Sequence, residues 1–181
     1  PMNWIKLEHL LLKAQPERAV TAEPALNHAQ LCERALRLAA GLERQGVRHV
    51  AVHLEDAADL AVALLGAWRA GVSVLLPADL QPGTRQRWSP EVDLWLTDLA
   101  DDAHLDDYPD APLSAAELDL DLCQLSLCTS GSSGEPKRID KTLGQLANEV
   151  QALETLWGAD LGQACIIGSV ATQHIYGLLF R

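Results

Sequence analysis

One stretch of this sequence carries the residue types that bind phosphate groups. It follows an alternating apolar strand and combines hydroxyl side chains, two glycines and a lysine. Glycine permits backbone conformations and a close backbone approach that a side chain would block. Successive amides in such a loop can form a concave anion-binding nest, and a lysine adds a point charge. The sequence therefore predicts a polyphosphate-binding loop whose candidate ligands are Thr129, Ser130, Gly131, Ser132, Ser133, Gly134 and Lys137.

The same residues leave other interpretations open. The common P-loop places Lys directly after its last Gly, whereas Glu135 and Pro136 separate Gly134 from Lys137 here. A Ser/Gly turn between two strands accounts for the composition equally well. Two further hypotheses are a kinase-like transferase that uses this loop for phosphate, and a non-catalytic interaction domain in which the loop is only a turn.

The order of the residues is more specific than their composition. Residues 129–137 read Thr-Ser-Gly-Ser-Ser-Gly-Glu-Pro-Lys, which resembles the signature loop of the acyl-adenylate-forming (AMP-binding) superfamily. That superfamily comprises acyl-CoA synthetases, peptide-synthetase adenylation domains and luciferases. This chain has Ser133 where the usual loop has Thr, and Arg138 where it has Gly. The helix at 31–42 and the segment 64–77, with its Gly66-Ala67, Ala70-Gly71 and Pro77, resemble upstream parts of the same superfamily in the same order.

The resemblance implies a function and a set of site residues. It implies that ATP, with Mg²⁺, and a small carboxylic acid form an acyl-adenylate, whose acyl group then passes to coenzyme A or an acyl carrier protein. The loop would bind the β- and γ-phosphates, and His174, Tyr176 and Gly177 would border the acyl pocket, although the usual upstream Pro is missing. No catalytic residue and no metal ligand is expected within these residues. Residues 2–181 are expected to be a partial N-terminal AMP-binding domain without its C-terminal remainder, so the isolated chain should be inactive.

Hydrophobic patterning predicts an α/β fold, with a mostly parallel sheet and flanking helices. Apolar residues at helical spacing predict a helix over 31–42 that stops at Gly46. A strand at 50–54, a helix capped by Asp56 and ended by Gly71, and a buried strand at 72–76 form a βαβ unit. We also predict a short N-terminal helix, ending near Gln15, and a strand at 94–97.

The chain beyond the loop should return as a strand and then a helix. Residues 138–141 are predicted to pair as a short strand, and Thr142 with Gln145 forms a capping box at the start of a helix. The apolar stripe of that helix is Leu146, Val150, Leu153 and Trp157. A further buried strand is expected at 164–170. The strands at 72–76 and 164–170 would lack later partners, so the chain should self-associate or be marginally stable.

Composition narrows the functional class. A net charge of −11 argues against nucleic-acid or anionic-membrane partners. Four scattered cysteines without metal-ligand spacing, and no secretory leader pattern at the start, favour a reduced, cytoplasmic protein. The stretch from Asp98 to Asp121 holds eight Asp, one Glu and no Lys or Arg, and it is expected to be a solvated connector without chemistry.

Overall fold

A computed structural model gives the fold of residues 4–129 and 135–161. The helices are α1 (His28–Arg44), α2 (Ala57–Arg69), α3 (Pro82–Trp88) and α4 (Leu143–Leu161). The strands are β1 (Ala19–Thr21), β2 (Leu26–Asn27), β3 (His49–His53), β4 (Ser73–Leu76), β5 (Leu94–Thr97), β6 (Gln124–Thr129) and β7 (Lys137–Thr142). Short 3-10 helices lie at Leu7–His9 and Ser89–Glu91.

The main sheet has five strands in the order β5-β3-β4-β6-β7. The first four are parallel to one another, and β7 pairs antiparallel with β6 at the edge. The predicted βαβ unit is observed as β3-α2-β4, with strand boundaries within one residue of the prediction. Both ends of α2 are set by local residues. Asp56 accepts a hydrogen bond from the Asp59 backbone amide at 2.9 Å, and Gly71 leaves α2 with a φ of +72°, where other residues are strained. The predicted α/β class is confirmed.

Alternation along the strands builds a core on each face of the sheet. Alternate residues of β3, β4 and β6 pack against α1 and α2 in one large apolar cluster that also includes Tyr108 and Leu118 of the 98–123 connector. The intervening residues Ala51, Leu75 and Cys128 pack against Trp88 of α3 on the opposite face. Helices α1 and α2 therefore cover one face, and α3 covers part of the other.

Two of the predicted helical features need correction. The N-terminal segment forms only a 3-10 turn, because the buried ring of His28 takes its backbone groups: Nε2 donates to the Leu10 carbonyl at 2.9 Å, and Nδ1 accepts from the Gln15 amide at 3.1 Å. The predicted stripe of α4 is only partly buried. Leu146 reaches the core, whereas Trp157 is 46% exposed and the non-stripe residue Leu156 is 66% exposed. Within the described residues, therefore, only the first turns of α4 are buried against the core.

The acidic connector does more than the expected solvated loop. The Asp102 carboxylate forms a two-point ion pair with Arg85 of α3, at 2.6 and 2.8 Å, and accepts a hydrogen bond from Thr97 of β5 at 2.7 Å. Arg44 of α1 binds the Asp110 carboxylate at 2.6 Å. These contacts attach the connector to α1, α3 and β5. No group of three His, Cys, Asp or Glu residues in the described part of the chain could hold a metal ion.

Candidate phosphate-binding site

The β6–β7 hairpin carries the predicted phosphate loop. Strand β6 ends at Thr129 and β7 begins at Lys137, and these two residues are directly paired across the hairpin. The register continues without a bulge to the pair Gln124 and Thr142. The chain that leaves Thr129 therefore returns beside it, which brings two of the predicted ligands to the mouth of one loop. Ser130, Gly131, Ser132, Ser133 and Gly134 lie outside the residues that the structure describes.

Strand alternation assigns the two mouth residues to the α1/α2 side of the sheet. Leu125 and Leu127 of β6 belong to the core on that side, and Cys128 belongs to the core beneath α3. Because successive side chains of a strand point to opposite faces, Thr129 shares the side of Leu127. Lys137 is paired with Thr129 and points the same way. The mouth of the loop therefore has a hydroxyl and an ammonium group on one face.

Lys137 has its charge available for a ligand. The residue is exposed, and within residues 4–129 and 135–161 no carboxylate oxygen lies within the 4.0 Å that defines an ion pair with its ammonium nitrogen. A lysine ammonium is a flexible point charge with three donors, which suits a phosphate oxygen. Lys137 can therefore bind an anion without first giving up a partner in the described structure.

The neighbouring cation is already used by the fold. Arg138 lies on the α3 side, where its Nε donates to the Asp140 carboxylate at 2.7 Å and its Nη1 contacts Glu91. The same oxygen of Asp140 accepts a hydrogen bond from Ser126 Oγ at 2.6 Å. The hydrogen bond from the Ser126 hydroxyl, and to a lesser extent the one from the Arg138 guanidinium, lowers the pKa of the Asp140 carboxyl. Arg138, which stands where the resembled loop has Gly, thus forms an ion-pair network rather than a second free charge.

The resemblance at residues 64–77 is explained by packing. A Cβ atom on Gly66 would lie 2.7 Å from the Ala35 carbonyl oxygen, so only Gly lets α2 approach α1 this closely. Gly71 takes the positive φ that ends α2. Pro77 is buried where the chain leaves β4. This segment places β4 beside β6.

Two carboxylates at the carboxyl ends of the strands fix turns near the site. Asp79, after β4, accepts hydrogen bonds from Thr84 Oγ1 at 2.5 Å and from the Gln81 amide at 2.9 Å. These two hydrogen bonds lower the pKa of the Asp79 carboxyl, and the bond from Thr84 has the larger effect. Asp98, after β5, accepts from the Glu55 amide at 3.0 Å. Neither carboxylate was predicted to have a structural role; the Asp79–Gln81 spacing, typical of an Asx turn, is the signal that could have identified the first.

The cysteines have the packing role that their spacing predicts. Cys32, Cys123 and Cys128 are buried and unpaired. Burial raises the pKa of Cys123 and that of Cys128 to about 11, so neither thiol is an activated nucleophile at neutral pH.

Cys165 lies outside the described residues, as do the predicted pocket residues His174, Tyr176 and Gly177 and the predicted strand at 164–170. No helix in the described part of the chain has the length and apolar character needed to cross a bilayer.

Comparison with solved structures defines the class of fold. This chain has the same fold as part of several solved coenzyme A ligase and nonribosomal peptide synthetase structures, and the resemblance noted in the sequence is confirmed at the level of the fold. The first of these structures is O-succinylbenzoate coenzyme A synthetase (MenE) from Bacillus subtilis in complex with AMP, with a TM-score of 0.69 and 21% identity over 91% of this chain.

Two other solved structures give the same result. Long-chain-fatty-acid-CoA ligase FadD1 from Archaeoglobus fulgidus has a TM-score of 0.68 and 19% identity, and the match covers 86% of this chain and 38% of that one. The AMPPNP-bound nonribosomal peptide synthetase FmoA3 has a TM-score of 0.59 and 22% identity, covering 74% of this chain and 16% of that one. The chain spans about half of the MenE chain, 49%. No protein-family description and no curated protein matches this sequence.

Proposed function

We propose that this chain is the N-terminal part of an ATP-dependent carboxylate-activating ligase. In the complete protein, a carboxylate oxygen of the substrate acid attacks the α-phosphorus of ATP, which forms acyl-AMP and releases pyrophosphate. A thiol of coenzyme A or of a carrier protein then attacks the acyl carbon, forming a thioester and releasing AMP. The observation that carries this proposal is the hairpin register, which pairs Thr129 with Lys137 at the mouth of a Gly/Ser loop. Lys137 has no ion pair with any residue in the described part of the chain.

The chain's contribution to this reaction is the binding of the departing phosphates. Phosphoryl transfer needs little covalent help from the protein and depends on positioning and on charge neutralisation. The amides and hydroxyls of residues 129–134 bind the β- and γ-phosphates, and Lys137 adds a charge-assisted hydrogen bond. The Arg138 guanidinium is already ion-paired with Glu91 and Asp140, so it does not bind the phosphates. The loop therefore binds the pyrophosphate moiety, while the substrate carboxylate supplies the nucleophile.

The remaining partners follow from the same proposal. ATP is the cosubstrate, with Mg²⁺ on its phosphates, and His174, Tyr176 and Gly177 border the carboxylic acid. The use of ATP and Mg²⁺ is supported by a matched MenE structure, which is in complex with ATP and a magnesium ion. The acyl acceptor is coenzyme A, which the names of the matched ligases contain, or an acyl carrier protein. The reaction belongs in the cytoplasm, where free cysteines stay reduced.

The test is acid-dependent ATP–pyrophosphate exchange by the complete protein, measured across a panel of aliphatic, aromatic and amino acids. We expect exchange with at least one acid, and none from the 181-residue chain alone. Gly131→Ala should reduce exchange because a Cβ atom crowds both the loop backbone and the phosphate. The thioester-forming step, started from that acid's preformed acyl-adenylate, should be nearly unchanged because pyrophosphate has already left.

Two results would contradict the proposal. Complete protein that exchanges with no acid and does not bind ATP is not a ligase of this class. A Gly131→Ala protein that loses thermal stability but exchanges normally while folded would show that the loop is only a turn. Phosphate transfer from ATP to an acceptor hydroxyl would instead favour the kinase-like alternative.

A further inference from the structure

Strand β7 is an edge strand that has little apolar anchoring. Four of its six residues are exposed, and the others are half-buried. Its only large apolar residue, Ile139, is 45% exposed. Burial of apolar surface is the main force that holds most strands in place. The side chains of β7 must therefore be attached to the domain mainly through polar contacts.

Those contacts are charge pairs on both faces of the strand. On the α3 side, the Arg138 guanidinium donates hydrogen bonds to the carboxylates of Asp140 and of Glu91, which lies in the Ser89–Glu91 turn. Asp140 also accepts a hydrogen bond from the buried Ser126 of β6. On the other side, the Lys141 ammonium contacts Glu149 of α4. The pair with Glu91 connects β7 to the segment that precedes β5, at the opposite edge of the sheet. The backbone pairing with β6 sets the face on which each β7 side chain lies, and these ion pairs attach the side chains of the strand to the rest of the described domain.

We infer that Arg138 is a positioning residue that orients Lys137 toward the bound phosphates. Adjacent residues of a strand point to opposite faces. While Glu91 and Asp140 hold Arg138 on the α3 side, Lys137 is held on the other side, beside Thr129. A bound pyrophosphate then meets an ammonium group whose strand is already ordered, which lowers the entropic cost of binding. The inference rests on the proposed phosphate-binding role of the loop.

Glu91 separates this role from a simple effect of charge. If Arg138 acted only by adding positive potential, removing the negative charge of Glu91 would strengthen the binding of an anion. If Arg138 acts by orienting β7, Glu91→Gln loosens the attachment and weakens binding, although the protein becomes less negative. The two explanations thus predict opposite signs for one substitution.

The experiment is a calorimetric titration of the 181-residue chain with inorganic pyrophosphate. We expect Glu91→Gln and Arg138→Ala each to weaken binding by about three- to tenfold, the size of effect that a partly exposed ion pair produces. Arg138→Lys keeps a cation that can reach Glu91, so it should recover at least half of the loss on a logarithmic scale. Arg37→Ala, which removes the same charge from the exposed Arg37–Glu33 pair of α1, should leave binding unchanged.

Each outcome decides the matter. Equal or tighter binding by Glu91→Gln overturns the positioning role and leaves the proposed function intact. Wild-type chain that does not bind pyrophosphate overturns the proposed function and this inference with it. Thermal melts of the same proteins separate orientation from folding: weakened binding with an unchanged melting temperature supports the inference. If Arg138→Ala fails to fold, the opposite signs predicted for Glu91→Gln still decide between the two explanations.

Discussion

The ion pair between Arg85 and Asp102 should be the strongest single electrostatic contact of the acidic connector. Its carboxylate is 8% exposed and its guanidinium is 29% exposed, and Arg85 also lies over the Trp95 ring at 4.4 Å from the ring centroid. Breaking a fully buried pair costs about 3–5 kcal/mol. Because this guanidinium is partly hydrated, we expect Asp102→Asn to reduce the free energy of unfolding by about 2–3 kcal/mol.

That loss should be measurable by thermal and urea unfolding. In a domain of this size it corresponds to a melting temperature lower by roughly 4–12 °C. Glu33→Gln is the control, since it breaks the exposed pair with Arg37, four residues along α1, and should cost only about 0.3–0.5 kcal/mol. A loss below 1 kcal/mol for Asp102→Asn would refute the idea that the connector is held by this buried pair.

The ion pair between Arg85 and Asp102 should make the free energy of unfolding depend on pH. The hydrogen bonds that Asp102 accepts from Arg85, and to a lesser extent from Thr97, lower the pKa of its carboxyl, although burial opposes the shift. A carboxyl whose pKa is lower in the folded state stabilises that state fully above its unfolded pKa, which is about 3.9. The contribution is lost as the pH falls through the folded value. The stability difference between wild type and Asp102→Asn should therefore be full at pH 7 and should shrink steadily below about pH 4.

Three further predictions concern packing, thiols and association. Gly66→Ala should destabilise the domain by about 2–3 kcal/mol in urea unfolding, because the new Cβ would lie 2.7 Å from a carbonyl oxygen of α1. Gly83→Ala in α3 meets nothing within 4 Å and should be neutral or stabilise by about 0.5–1 kcal/mol; equal losses would refute the packing argument. Cys123 and Cys128 should resist iodoacetamide at pH 8 in the native protein and react after denaturation, as peptide mass spectrometry would report; fast native labelling would contradict their burial. Sedimentation velocity should show concentration-dependent association through α4, which Leu156→Glu weakens; a monomer at all concentrations would oppose this.

Sequence patterns succeeded where local chemistry sets the structure. Asp56 and Gly71 act on neighbouring residues, so the limits of α2 could be predicted from them. The capping box at α4 is confirmed for the same reason: Gln145 and Thr142 exchange hydrogen bonds of 2.9 and 3.2 Å. The return strand after the loop is also confirmed.

Patterns were insufficient where distant residues decide the structure. The N-terminal helix was predicted from its leucines, but the His28 ring binds the backbone groups of Leu10 and Gln15 instead. The anchoring of the connector depends on Arg85 and Asp102, which are 17 residues apart. Helix α3 was missed because it has only seven residues and too few apolar positions to show a period.

The candidate site also has features that could be predicted from the sequence and others that could not. The residue types and order of the loop could be predicted from the sequence, and the register that pairs Thr129 with Lys137 adds the geometry. The role of Arg138 could not be predicted, because its partner Glu91 lies 47 residues away in the sequence. Only the contacts of Arg138 with Glu91 and Asp140 show which cation is engaged.

The central claim is that the loop after β6 binds a polyphosphate through Lys137. The most direct test is calorimetric titration of the 181-residue chain with pyrophosphate, comparing Lys137→Ala with Lys13→Ala, which removes the same charge from an exposed residue near the N-terminus. A lost charge-assisted hydrogen bond is worth about 1.5–3 kcal/mol, so Lys137→Ala should weaken binding by roughly 10- to 150-fold while Lys13→Ala leaves it unchanged. Equal affinities for wild type and a folded Lys137→Ala protein would contradict the claim.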